Sequence, residues 1–107
     1  MHATLQPQDL QTQGPPTLVL DEVLDAASCN AMRRFQKRAR RAPHCPAAID
    51  LRRTRTTASQ PWATLVKVVR DLARNGHAVT VVAGERLVGL LELTGLARHA
   101  RIVIVQI

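Results

Sequence analysis

Aromatic residues are nearly absent from this chain of 107 residues, which contains one Phe, one Trp and no Tyr. Proteins that bind single-stranded nucleic acid stack the bases on exposed aromatic rings, so this scarcity counts against that class. A glycine-rich phosphate loop is also missing, as are the motifs of serine hydrolases and zinc peptidases. The sequence therefore disfavours catalysis, and we expect a protein that is not an enzyme.

Cysteine is scarce as well, with Cys29 and Cys45 the only two in the chain. They do not form a Cys-x-x-Cys pair, and the four histidines are scattered, so the spacing of a zinc site is missing. In a cytoplasmic chain two such thiols usually behave as small apolar side chains. We expect neither a metal nor a cofactor.

Long apolar runs are lacking too, since none approaches the roughly 18–20 residues that span a bilayer. Residues 1–13 are polar and do not show the charged start and apolar stretch of a secretory signal. We therefore expect a cytoplasmic protein without membrane insertion. Hydrophobic residues make up 46% of the chain, which is enough for a core, and the length corresponds to a single domain.

Basic residues, by contrast, are abundant, with 15 Lys and Arg against 8 Asp and Glu and a net charge of +7. Nine of them lie between Arg33 and Arg55, where Asp50 is the single acid. A solvated helix and loop would account for such a run. A docking surface for an acidic protein is the leading functional interpretation, and binding of nucleic acid or anionic lipid is the alternative.

The pattern of apolar residues predicts an α/β domain. Residues 1–16 contain three prolines and predict a flexible arm, with one edge strand near residues 3–5. The remaining chain alternates β-branched runs with helical periodicity, which predicts a mostly parallel sheet of four to five strands with about three helices packed against it over residues 17–107. The predicted strands cover residues 17–20, 47–51, 78–83 and 101–105, and the predicted helices cover residues 30–41, 61–74 and 85–94.

Several finer features also follow from the pattern. Asp25 and Ser28 are suited to cap the first helix, and Ser59 or Gln60 to cap the second. Asp50, at a strand end, is expected to hydrogen-bond the loop that follows it. Continuous apolar runs predict that strand 47–51 occupies a buried position and that strand 78–83 is buried on both faces. The core face of the second helix is predicted to consist of Trp62, Leu65, Val66, Val69, Leu72 and Ala73.

Four passages carry a resemblance to a known family. Residues 72–84, LARNGHAVTVVAG, run from a helix into a strand, and residues 88–96, VGLLELTGL, form a helix that ends in T-G-L. Two shorter matches are V-L-D at residues 23–25 and I-D-L at residues 49–51. Together they resemble the STAS domain, the fold of bacterial anti-sigma-factor antagonists that also occurs in sulfate transporters and phospholipid-transport systems.

The resemblance implies a role in partner switching, in which an anti-sigma kinase phosphorylates the antagonist that it binds. Members carry D-S-S-G or D-S-T-G in the loop after the D-L strand, and the second hydroxyl is the acceptor. Here the four positions read A-S-Q-P over residues 58–61. Ser59 is therefore the one candidate phosphorylation site, with helix capping as its favoured role, while Gln60 occupies the usual acceptor position.

The resemblance also implies a partner-binding surface on the loop and helix start around residues 52–66. The expected function is that of a non-enzymatic regulatory domain that docks an anti-sigma kinase-like protein. One alternative is an accessory subunit that binds the ATPase of a phospholipid ABC transporter, and the other is a basic nucleic-acid-binding module, which is disfavoured. The oligomeric state is left open. The candidate binding residues are Arg52, Arg53, Arg55, Thr57, Ser59, Gln60 and Trp62.

Overall fold

The computed structural model describes residues 16–42 and 44–106, and within them it forms six strands and three α-helices. The predicted arm and its edge strand fall on residues 1–15, outside the described part. Short 3-10 turns flank the third helix at Glu85–Leu87 and Leu96–Arg98. The strands are β1 (Thr17–Val19), β2 (Val23–Leu24), β3 (Ala47–Leu51), β4 (Thr56–Thr57), β5 (Val79–Gly84) and β6 (Arg101–Val105), and the helices are α1 (Ala26–Arg40), α2 (Ser59–Arg74) and α3 (Val88–Thr94).

Four strands form a parallel sheet in the order β1-β3-β5-β6, which confirms the predicted α/β fold class. Each crossover leads to the next strand in the same direction, so right-handed connections place all three helices on one face. Along β3 and β5, buried residues alternate with half-buried ones. The expectation that β5 is buried on both faces is therefore wrong, because Thr80 and Val82 lie on the face that the helices leave open.

The core lies between this sheet and the helices. Met32, Phe35 and Ala39 of α1 are at most 1% exposed, as their spacing predicts. On α2, Val68 takes a core position that the sequence had assigned to Val66, which is only half-buried. Half-buried Ala73 departs from the prediction in the same way. The buried residues of α2 are Pro61, Trp62, Leu65, Val68, Val69 and Leu72.

The helix ends show which local signals decide the boundaries. Asp25 and Ser28 form a reciprocal capping box at the start of α1, as predicted: the Asp25 carboxylate accepts from the Ser28 amide at 3.2 Å, and the Ser28 hydroxyl accepts from the Asp25 amide at 3.0 Å. Gly76, just after α2, has a φ of +89°, and Gly95, at the end of α3, has a φ of +68°. Glycine adopts this left-handed conformation without strain, which suits both residues to end their helices.

Candidate functional site

The loop between β3 and α2 is fixed by the chain segment that precedes α1. The Arg55 amide donates to the Glu22 carbonyl at 2.8 Å, and the Ala58 amide donates to the Leu24 carbonyl at 3.3 Å. Around these bonds β2 and β4 pair in parallel, a pairing that the sequence analysis did not predict. The hydroxyl of buried Thr54 adds a bond of 2.8 Å to a carbonyl of the same segment. The loop therefore presents its side chains from a backbone held at several points.

Asp50 and Arg52 form an ion pair at the start of this loop. The Arg52 guanidinium donates to the Asp50 carboxylate at 2.8 Å from Nη2 and at 3.1 Å from Nε, and the Arg52 amide donates at 2.9 Å. These hydrogen bonds hold the pKa of Asp50 below its ordinary value, and the nearby charge of Arg53 acts in the same direction. The predicted bond from Asp50 to the loop is confirmed, and it fixes the direction of the Arg52 side chain.

An arginine-lined cavity of about 470 Å³ lies beyond the carboxyl ends of β3 and β5. In open parallel sheets this is the edge at which ligands bind. Four arginines face two glutamates across it, so the cavity carries an excess of positive charge. Arg86 was not among the predicted residues, although its place directly after β5 could have revealed it. The lining residues are Glu22, Arg52, Arg53, Thr54, Arg55, Gly84, Glu85 and Arg86.

A second concavity, the α2–α3 groove, has a volume of about 560 Å³. The Trp62 ring is only 4% exposed and packs in the core, the position that the sequence favoured. Its indole N–H donates to the Thr94 hydroxyl at 3.2 Å, and that hydroxyl donates to the Leu90 carbonyl at 2.7 Å. This chain of bonds ties α3 to α2. The groove is lined by Thr57, Ala58, Ser59, Trp62, Ala63, Val66, Lys67, Arg70, Leu90 and Thr94.

The start of α2 differs from its prediction. Ala58 occupies the N-cap position, and no side chain accepts from the helix amides there. Ser59 is the first helical residue, is exposed and makes no side-chain hydrogen bond within the described residues. The prediction that Ser59 or Gln60 caps the helix is therefore wrong. The physical reason is the bond from the Ala58 amide to the Leu24 carbonyl, which accompanies an extended conformation at residue 58 and lets the helix begin directly after it.

The seven predicted binding residues fall into three places rather than one. Ser59, the candidate phosphorylation site, lines a different concavity from the three arginines. Gln60 borders neither of them but faces a smaller cavity of about 270 Å³ between α1 and α2. Arg52, Arg53 and Arg55 line the arginine-lined cavity, whereas Thr57, Ser59 and Trp62 line the α2–α3 groove.

Lys67, Arg70, Leu90 and Thr94 line the groove without having been predicted to do so. The helical period of α2 did indicate that Lys67 and Arg70 lie off the core face. The approach of α3 to that side of α2 depends on tertiary packing, for which the local sequence carries no signal. Among the described residues, no three His, Cys, Asp or Glu side chains are grouped closely enough to hold a metal ion, and no helix is long and apolar enough to cross a membrane.

Comparison with known proteins identifies no relative of this chain. No protein-family model matches the chain, and no curated protein or solved structure matches it either. The resemblance to the STAS domain family therefore stays a prediction, which the four sequence passages carry.

Proposed function

We propose that this chain is a non-enzymatic regulatory domain that docks a protein partner through residues 52–66, in the manner of STAS-type anti-sigma-factor antagonists. One observation carries the proposal: this single segment contributes to both the arginine-lined cavity and the α2–α3 groove. Its first part, residues 52–55, lines the arginine-lined cavity, and its second part, from Thr57 to Val66, lines the α2–α3 groove. An apolar centre beside a charged region is the usual composition of a protein interface.

The chemistry of the segment suits an acidic protein surface. Arginine presents a planar fork that binds carboxylates through two parallel hydrogen bonds, and within the described residues Arg53 and Arg55 take part in no ion pair. The backbone bonds of the loop lower the cost of ordering it when a partner binds.

The resemblance makes an anti-sigma kinase-like protein the first candidate partner. A second candidate, the ATPase of a phospholipid ABC transporter, is favoured by a particular observation. Gln60 stands at the usual phosphoacceptor position, and Ser59 lines a different concavity from the arginines that would bind its phosphate. A domain without the phosphorylation switch still fits the second role.

The test is capture of the partner by the tagged full chain from cells of the source organism, followed by mass spectrometry. The surface variant is Arg53→Glu with Arg55→Glu, and the control is Arg74→Glu with Arg101→Glu on exposed positions outside the basic run of residues 33–55, which changes the net charge equally. We expect wild type and control to retain the same partner, either an anti-sigma kinase-like protein or a transporter ATPase, and the surface variant to lose it. A kinase would support the first candidate partner and a transporter ATPase the second, whereas equal capture by all three forms would contradict the proposal.

Nucleic-acid binding is separated from this proposal by a titration with random-sequence duplex DNA at about 150 mM salt. Attraction to the phosphate backbone alone gives dissociation constants on the order of 10⁻⁴–10⁻⁶ M under such conditions. We expect binding no tighter than this range. Submicromolar affinity that persists at this salt would favour the nucleic-acid alternative instead.

A further inference from the structure

We infer that the α2–α3 groove receives an amphipathic helix of the partner, apolar on one side and bearing a carboxylate where it passes Lys67 and Arg70. This inference rests on the proposed function, because it names the element of the partner that the same surface binds. It rests on the length of the groove, its apolar wall, its charge and the chemistry of its backbone.

The length of the groove matches a short helix. Its lining extends along α2 from Ala58 to Arg70, and at a rise of about 1.5 Å per residue this distance is roughly 18 Å. Three turns of a bound helix, with anchoring side chains at positions i, i+3 or i+4 and i+7, cover about the same distance.

The middle of the groove is apolar. Ala63 is exposed, and the half-buried side chains of Val66 and Leu90 pack against the core while still lining the groove. The edge of Trp62 lies among them. Apolar side chains of a ligand would therefore be removed from water along this wall, which is the main source of affinity in helix-in-groove recognition.

The charge at one end specifies the sign of the ligand. Lys67 and Arg70 line the groove, whereas no Asp or Glu does. A carboxylate is the group that pairs with both the guanidinium of Arg70 and the ammonium of Lys67.

The walls of the groove determine the form of the ligand. Apart from Thr57 and Ala58 they are built from α2 and α3, whose backbone amides are mostly bonded within their own helices, so a strand of the partner finds only the two-residue edge of β4 to extend. The groove is also open along one side, whereas small-molecule sites bury most of the ligand surface. A helix suits such a groove, because it binds through its side chains without pairing to a sheet edge and can leave its outer side in solvent.

The experiment uses three displayed libraries of 16-residue peptides, each with an amphipathic helical pattern. Their apolar positions vary among Leu, Ile, Val and Phe, and the flanking polar positions carry Glu in one library, Gln in the second and Lys in the third. Selected peptides are labelled, and their affinity for the full chain is measured by fluorescence anisotropy. We expect the Glu peptides to bind at least about tenfold more tightly than the Lys peptides, because like charges repel across an interface.

Two matched pairs of variants locate the binding. Lys67→Glu and Arg74→Glu change the net charge equally on one helix, but Arg74 is exposed and lines none of the concavities described above. Leu90→Ala removes a groove contact, whereas Leu93→Ala removes a side chain that is 84% exposed on the same helix. We expect Lys67→Glu and Leu90→Ala each to weaken the Glu peptides about tenfold, a change of roughly 1.4 kcal/mol, and their controls to change affinity less than about twofold. Lys67 is exposed, so its variant should fold even if Leu90→Ala does not.

The inference would be overturned if Glu and Lys peptides bound alike, if Lys67→Glu and Arg74→Glu had equal effects, or if no peptide bound. A lipid surface would be favoured instead if the chain bound phosphatidylglycerol vesicles but no peptide, and if Lys67→Glu abolished the binding to vesicles. That result would also overturn the inference. Each of these results leaves the proposed function standing as long as the Arg53 and Arg55 variant still loses the partner in the capture experiment. Equal capture by all forms would instead remove the proposed function itself.

Discussion

The two long helices start side by side and are stabilised there in different ways. Strands β2 and β4 pair in parallel, and a single residue separates the end of each strand from the start of the helix that follows it. At α1 the Asp25 carboxylate accepts from the Ser28 amide and the Ser28 hydroxyl from the Asp25 amide, whereas at α2 Ala58 provides no side-chain acceptor. The start without a local cap is the one that lines the α2–α3 groove. The helix start at the surface that we assign to binding therefore lacks a stabilising side-chain cap, and departures of this kind from local stability are common at functional sites.

Because α2 has no side-chain cap, its position depends on its buried face, and truncation there gives the largest expected effect. Leu65 and Val69 are both fully buried. We expect Leu65→Ala to lower the free energy of unfolding by about 2–5 kcal/mol, and Val69→Ala to lower it by somewhat less, through lost burial and the cavity left behind. Thermal melting measures both, with the exposed Lys67→Ala as control. Unchanged melting temperatures for both variants would show that α2 is not held by this face.

Removal of the cap from α1 is expected to have the next largest effect. Asp25→Ala eliminates the acceptor for the Ser28 amide and should destabilise the protein by about 1 kcal/mol, within a range of roughly 0.5–2 kcal/mol. Asp25→Asn keeps an acceptor of similar capping strength and is the matched control. Denaturant unfolding provides the measurement. If the Asn variant lost as much stability as the Ala variant, the carboxylate would act through something other than the cap.

The two starts also show how far the sequence alone can be interpreted. The cap of α1 was predictable because Asp25 and Ser28 lie three residues apart and bond to each other's amides. The cap of α2 was not, because its boundary depends on a bond between Ala58 and Leu24, which are distant in the chain. Hydroxyl residues near Pro61 resembled a cap, but with this tertiary pairing the helix starts at Ser59, two residues before the predicted start at residue 61.

The same division holds for the sheet and for the candidate site. The periodicity of apolar residues predicted the strands at Ala47–Leu51 and Arg101–Val105 with the observed bounds. It could not predict that Val82 would lie on an open face, because that depends on all the crossovers falling on one side. Likewise Leu90 joins the candidate surface only through the packing of α3 beside α2.

Addition of the missing cap to α2 should stabilise the protein. Ala58 is exposed and extended, with φ −76° and ψ 161°, which is the conformation that capping residues adopt. Ala58→Asp should therefore raise the free energy of unfolding by about 0.5–1 kcal/mol. The control is Ala63→Asp on an exposed position in the second turn of the helix, where a side chain cannot cap. A denaturation midpoint that stays equal or falls for Ala58→Asp would mean that the amides are already satisfied.

The smallest expected effect belongs to Ser59→Asp, the phosphomimetic change at the remaining hydroxyl of the family's motif. Ser59 is exposed and makes no side-chain hydrogen bond within the described residues, so its loss costs little. An acid in the first turn interacts favourably with the helix dipole by about 0.3–1 kcal/mol. We therefore expect a slightly higher melting temperature, with Ser59→Asn as the uncharged control. A lower melting temperature for the Asp variant alone would contradict this.

The same substitution should change partner affinity by less than tenfold, or about 1.4 kcal/mol, because the new charge, although it lines the groove, lies well away from Lys67 and Arg70, which we assign to the partner's carboxylate. Residue 59 lies eight residues before Lys67 and eleven before Arg70 on one helix, which at about 1.5 Å per residue is roughly 12 and 16 Å. Both distances exceed the screening length of about 8 Å at physiological salt. The captured partner, or the Glu peptides, can be titrated against wild type and Ser59→Asp. A loss of affinity well beyond tenfold would show that Ser59 controls docking. It would then support a phosphorylation switch at Ser59 like that of the STAS antagonists.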